Sequence, residues 1–135
     1  NMRGNEDRLA TIDICAIDLH NGEASFYKYD APPAMIKKKH ETMIIEMDEL
    51  NENPNAIGSP HYKSIRMTGG DFLIMLSDGI YEAFLSEKDC NSLQLFIERL
   101  DTINPQLMAN AILNEAIDKS GAKHDDMTVL VTKLW

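Results

Sequence analysis

Two acidic clusters in this sequence stand where a carboxylate is held rigidly. Ser77-Asp78-Gly79 directly follows the unbroken apolar run Phe72–Leu76, and Asp125-Asp126 stands just before the closing run TVLVTKL (128–134). An Asp at a strand end is fixed by the strand, and a following glycine permits a sharp turn and close approach of a ligand. If the two runs are neighbours in a sheet, the carboxylates converge on one hard cation. Mg²⁺ or Mn²⁺ suits such an all-oxygen donor set. The same residues have a plain structural reading as well: strand–Asp–Gly is an ordinary turn, and Asp-Asp before a strand is a common cap or loop pair.

The other chemically capable side chains are weaker candidates. His20, His40, His61 and His124 are scattered. His124 adjoins Asp125 and could assist a phosphate or metal, but a single His without a spaced partner reads as a solvated loop residue. Lys37-Lys38-Lys39 could contact phosphate or an acidic partner; the competing account is a solvated strand end or edge, where lysines discourage strand pairing. Cys15 and Cys90 lie far apart with no CxxC or Cys/His spacing, which argues against a zinc site or a disulfide framework. The eight Met residues fall mostly in apolar periods and read as core filling.

Charge narrows the partners. The chain has 135 residues, 44% apolar and 26% charged, the profile of one globular domain over 1–135. Its 13 Lys+Arg against 22 Asp+Glu give a net charge of −9. Such a surface repels phosphate backbones and anionic lipid, so nucleic acid and membrane surfaces are poor partners. Cations and basic partners remain open. Phe72–Leu76 is the longest apolar stretch, far short of a membrane span, and no signal-peptide pattern opens the chain. The expected location is cytoplasmic, with any membrane attachment of a parent protein lying in segments outside this chain.

The elements that must position the acidic clusters follow from periodicity. In residues 9–19, Ile12, Ile14 and Ala16 share one face and Asp13, Cys15, Ile17 and Leu19 the other, which predicts a strand partly covered on both sides. Asn21-Gly22 predicts a tight hairpin turn with positive φ angles, and 23–29 the returning strand. Further strands are predicted at 34–38, 42–46, 62–67, 71–77 and 127–134, with a surface loop over 48–60 and a turn at Gly69-Gly70-Asp71. The run FLIML (72–76) predicts a strand covered on both faces. Leu93, Phe96, Ile97 and Leu100 make one helical stripe, predicting a helix over 91–100. Asn104-Pro105 opens a second helix (105–119), with Met108, Ala111, Ile112 and Ala116 facing one way and Gly121 as the stop. Hairpin-joined strands followed by late helices favour α+β over alternating βαβ units.

GDFLIMLSDGIYEAF (70–84) followed by HDDMTVLVTKL (124–134) resembles the C-terminal half of the metal-dependent protein phosphatases, in the SpoIIE-type branch of the protein phosphatase 2C superfamily. RLATIDICAIDLHNGEASFYKYDAPPAMI (8–36) is similar to the strand-turn-strand that precedes those motifs, and Ala56-Ile57-Gly58 to a Pro-Ile-Gly segment. The resemblance implies a partial αββα sandwich of antiparallel sheets with helices outside, lacking its N-terminal part. It implies hydrolysis of phosphoserine or phosphothreonine in a protein, in this branch often a small anti-sigma-factor antagonist. Two Mn²⁺ or Mg²⁺ ions in the complete domain would activate a water for in-line attack on phosphorus. By position, Asp78 and Asp125 would be metal ligands, Gly79 a supporting residue, and Asp126 an orienter of the loop or of a metal-bound water. Asp13 lies in a strand the family keeps, with no chemical role assigned.

The departures matter equally. The family's first Asp-Gly motif, whose Asp bridges both metals, belongs upstream of residue 7 and is absent, since the only Asp-Gly here is Asp78-Gly79. Asp30 replaces a small glycine, and Ala56 the usual proline. The expectation is a piece of a phosphatase domain, nearly inactive alone, that associates with itself through unpaired edges and the apolar surfaces of Ile12, Ile14, Phe26 and strand 72–76. The alternative is a pseudophosphatase acting as a protein-binding or regulatory module. Asp-Gly-Ile (78–80) also resembles haloacid-dehalogenase phosphatases. That family needs a nucleophilic Asp where this chain has Leu76, so covalent aspartyl catalysis has no nucleophile.

Overall fold

The computed structural model describes residues 11–46, 61–85, 91–121 and 125–135. Among the described residues, seven strands and three helices follow in the order β1 (Ile12–Ile17), β2 (Glu23–Tyr29), β3 (Ala34–Lys37), β4 (Thr42–Ile45), β5 (His61–Arg66), β6 (Phe72–Leu76), α1 (Asp78–Leu85), α2 (Ser92–Arg99), α3 (Pro105–Ser120) and β7 (Val129–Lys133). All strand pairs are antiparallel, in a three-stranded sheet β1-β2-β5 and a four-stranded sheet β4-β3-β6-β7. The α+β class read from the sequence is the one found. The loop 48–60, with Ala56-Ile57-Gly58, and also Cys90 and His124, lie outside the described residues.

Alternation along the strands builds two cores. Ala24 and Phe26 of the three-stranded sheet meet Ala34, Ile36, Ile45 and Leu73 of the four-stranded sheet. The opposite parity of that second sheet, Met35, Phe72, Ile74 and Leu76, packs on Ile80, Phe84, Leu93, Ile97, Met108 and Ile112 of the helices. The run 72–76 is therefore apolar throughout because each of its faces meets a core. The layers are sheet, sheet and helices. The outer face of the three-stranded sheet carries Ile12, Ile14, Tyr27 and Tyr62, between 40% and 54% exposed.

Several sequence expectations are corrected. β1 is covered only on its Asp13, Cys15 and Ile17 face, while Ile12, Ile14 and Ala16 are exposed. Phe26 and the strand 72–76 are covered rather than surfaces at risk. The β1–β2 connection is a five-residue loop rather than a two-residue turn. In it only Gly22 has positive φ, and the Asp18 and Asn21 side chains accept from the amides of His20 and Glu23. Lys37 and Lys38 are not solvated edge residues. β3 lies inside its sheet, the buried Lys37 donates to the Glu98 carbonyl, and Lys38 pairs with buried Asp71 at 2.6 Å.

The helix α1 was not legible as a helix, because Ser77-Asp78-Gly79 reads as a turn. Ile80, Ala83 and Phe84 recur at helical spacing and are buried, but the stripe is short and opens on a glycine. By contrast α3 starts where Asn104-Pro105 predicts. Asn104 Oδ1 accepts from the Gln106 and Leu107 amides, satisfying first-turn donors, and Gly121 at φ 63° ends the helix.

Candidate functional site

β6 and β7 pair directly, with Leu76 opposite Val129, so the residues just beyond that pair leave the sheet together. Two bonds lock them. The Ser77 amide donates to the Thr128 carbonyl (3.1 Å), and the Thr128 amide donates to Ser77 Oγ (2.9 Å). α1 then starts at Asp78, and the Ile80 amide closes back onto the Ser77 carbonyl at 3.1 Å. Asp78 sits in the first turn, where the positive end of the helix dipole favours a carboxylate.

The second acidic cluster lies against the first through backbone. Gly79 is buried, and a Cβ placed on it would stand 2.4 Å from the Asp126 carbonyl oxygen and 3.3 Å from Met127 Cγ. Only glycine allows the Asp125–Met127 segment to lie this close to α1. Asp125 Oδ1 accepts from the Asp126 amide at 2.8 Å, which fixes the side chain and leaves its second oxygen uncommitted to that bond. Asp78, Asp125 and Asp126 are all exposed. The sequence motifs are thus brought to one end of the β6–β7 pair.

Their chemistry suits a hard divalent ion: exposed carboxylate oxygens, one in the first turn of α1 and one in the segment that leads into β7. Among the described residues no group of three or more His, Cys, Asp or Glu side chains is placed to hold a metal. Asp78 and Asp125 are the carboxylates that the β6–β7 pair and the Ser77–Thr128 bonds bring to this end of the sheet.

Beneath α1 runs a polar chain that the sequence reading did not anticipate. Asp13 and Lys28 are register partners on β1 and β2, both on the face turned to the other sheet. Lys28 Nζ donates to Asp13 Oδ1 (2.6 Å) and to the Pro32 carbonyl (2.8 Å), with only 3% of its side chain exposed. Tyr81 Oη, one turn after Asp78, donates to the Pro33 carbonyl at 2.7 Å. Burial, reinforced by the Asp13 charge, pushes the Tyr81 phenol well above its ordinary range. Burial likewise raises the Cys15 thiol to about 11, with Lys28 opposing and Asp13 adding to the rise. Asp13, unassigned by sequence, is thus the counter-ion of a buried lysine that braces the Pro32-Pro33 corner under the helix bearing Asp78. Two opposite charges at inward strand parity, one hairpin apart, were the available signal.

Asp30, where the family resemblance implies glycine, has φ 51°, in the left-handed region that glycine adopts freely.

The sequence and the fold have counterparts in known proteins. The family model described as Stage II sporulation protein E (SpoIIE) matches residues 1–135. Curated proteins named Stage II sporulation protein E are 31% identical over 138 residues in Priestia megaterium and 32% identical over 143 residues in Bacillus subtilis (strain 168). Each match covers 98% of this chain, but the chain spans only 23% and 16% of those proteins' lengths. A solved structure described as the phosphatase domain of the cell fate determinant SpoIIE from Bacillus subtilis, presoaked with Mn, superposes with a TM-score of 0.81 at 29% identity. That match covers 93% of this chain and 56% of that one. No helix among the described residues is long and apolar enough to cross a membrane.

Proposed function

The chain belongs to the SpoIIE family, and on that premise we propose that it is part of a metal-dependent phosphoserine/phosphothreonine protein phosphatase of a bacterial cytoplasm. The observation that carries the reading is the joining of Ser77-Asp78-Gly79 to Asp125-Asp126 by the Ser77–Thr128 bonds and the Gly79–Asp126 approach. In this reading Asp78 and Asp125 hold Mn²⁺ or Mg²⁺, and a two-ion centre takes its remaining ligands from a segment outside these 135 residues. When bound, the ions supply the Lewis acidity that phosphoryl transfer to water requires. The chain's residues do the positioning. Ser77 and Thr128 fix the separation of the two acidic loops, and Gly79 lets the second of them lie directly against α1. Asp126 orients the second loop, and Tyr81 and Lys28 brace α1 from below. The substrate class is a phosphorylated protein, with a small anti-sigma-factor antagonist as the specific candidate and sigma-factor control in sporulation as the setting.

The test has two arms. In the full-length parent, Asp78→Asn and Asp125→Asn should each abolish Mn²⁺-dependent release of phosphate from a phosphoserine protein. The 135 residues alone should release none above background. Full activity in either variant overturns the assignment. Mn²⁺-stimulated turnover by the isolated chain overturns the division of ligands, and an inactive parent that still binds the phosphoprotein favours a regulatory pseudophosphatase.

A further inference from the structure

At the end of β6 and β7 remote from the acidic loops lies a hollow of about 780 Å³, walled by the β3 end, the Gly69-Gly70 turn and the α2–α3 connection. That size falls among ligand-binding clefts. Its charge runs against the rest of the molecule. Lys37, Lys38, Lys39, Arg99 and Lys133 line it, five of the chain's 13 cations, against only three of its 22 carboxylates, Asp71, Glu98 and Asp101. The hollow therefore carries +2, while the remaining 8 cations and 19 carboxylates carry −11.

The cations are not equivalent. Lys38 is neutralised by Asp71, and Lys37 forms the floor with its ammonium on the Glu98 carbonyl. Lys39 and Arg99 are exposed and make no ion pair among the described residues. Lys133 is held over the rings of Phe72 and Trp135, at 5.7 and 4.5 Å from their centroids. Beside these charges stand uncovered apolar groups, Ile103 at 79% exposure on the rim and Trp135 at 93%. Apolar surface next to cations gains nothing from a bare inorganic anion, but it suits a ligand that carries both carboxylates and an aliphatic side chain.

We propose that this hollow docks an acidic, leucine-bearing peptide segment of a partner protein. The summed charge of −11 on the rest of the chain disfavours such a segment away from the hollow, so charge sets both the place and the selectivity. The proposal stands independently of the phosphatase reading, since the hollow shares no residue with the acidic loops.

The test is fluorescence anisotropy on the full-length protein with a labelled peptide of repeated Glu-Glu-Leu, beside Glu-Glu-Gly and Lys-Lys-Leu counterparts. The Glu-Glu-Leu peptide should bind, the Glu-Glu-Gly peptide more weakly and the Lys-Lys-Leu peptide not at all. Arg99→Glu and Lys133→Glu should each weaken binding roughly tenfold, while Arg66→Glu on the three-stranded sheet leaves it unchanged. Circular dichroism checks folding, and Lys39→Glu on the exposed β3–β4 connection replaces any variant that fails to fold. Equal loss with Arg66→Glu, or no loss with the hollow variants, overturns the site. Equal competition by inorganic pyrophosphate overturns the peptide class, because the hollow would then be a simple anion trap.

Discussion

Gly79→Ala is the sharpest probe of how the two acidic loops are joined. The added Cβ would sit 2.4 Å from the Asp126 carbonyl oxygen, whereas a carbon–oxygen contact needs about 3.3 Å, so one of the two backbones must retreat by nearly an ångström. Neither retreats freely. The 125–128 segment is pinned by the Thr128–Ser77 bonds, and α1 is pinned by Tyr81 on Pro33. Overpacking against fixed backbone costs about 1–3 kcal/mol. At roughly 4 °C per kcal/mol for a domain of this size, the melting temperature should fall by about 4–12 °C. Displacing the carbonyl also moves Asp125 relative to Asp78, so Mn²⁺ affinity of the complete domain, read by the electron paramagnetic resonance of free Mn²⁺, should weaken at least about tenfold.

The control is Gly70→Ala at the far end of β6. There φ is +95° and nothing lies within 4 Å of the new Cβ, so the variant suffers backbone strain with no clash. It should lose about 1 kcal/mol of stability and keep its Mn²⁺ affinity. Gly79→Ala with unchanged melting and unchanged Mn²⁺ affinity would refute the argument that the Gly79–Asp126 approach sets the carboxylate geometry.

Three further outcomes are expected. Lys28→Met strands Asp13 and the Pro32 carbonyl in the interior and should cost about 3 kcal/mol in urea titrations, the low end for a broken buried pair because Asp13 retains some solvent contact; a loss under 1 kcal/mol would mean the pair is dispensable. Asp30→Gly removes the left-handed strain at φ 51° and should stabilise the chain by about 0.5–1 kcal/mol, the opposite sign to most substitutions; a destabilised variant would refute it. The isolated chain should self-associate through the exposed Ile12, Ile14, Tyr27 and Tyr62 face, and light scattering should show this weakened by Ile14→Lys. A monomer across a wide concentration range would count against it.

What was legible in the sequence was whatever one residue type settles locally. Asn104-Pro105 can open a helix in one economical way, and it does. The aromatic-rich run 23–29, returning from Asn21-Gly22, is a strand over those residues, and the unbroken FLIML, which best fits a strand covered on both faces, is one. What was not legible depended on partners far along the chain. Lys37 reads as a solvated lysine until Glu98, 61 residues away, offers its carbonyl. The covered face of β1 could not be chosen because both faces carry apolar residues, and the choice fell to the pairing of Asp13 with Lys28 and the packing of Cys15 and Ile17 on the opposite sheet. At the candidate site the carboxylates were legible as types, whereas the Ser77–Thr128 clamp that joins them needed the β6–β7 register.

That register also ties the two proposed sites together. β6 and β7 pair over five residues, with the acidic loops beyond Leu76 and Val129 and the basic hollow beside Phe72 and Lys133. Five residues of strand measure about 15 Å, and a paired, doubly covered strand does not shorten. A phosphoprotein that uses both sites at once must therefore hold its acidic segment at least about five extended residues from its phosphorylated side chain. Synthetic phosphopeptides carrying a Glu-Glu-Leu tail behind glycine-serine linkers of increasing length give the assay. With the full-length parent, KM should stay flat for short linkers, fall once the linker spans the strand, and lose that fall in Arg99→Glu with kcat unaltered. A KM that improves equally at every linker length would show the tail acting by charge alone, and the rigid spacing would be refuted.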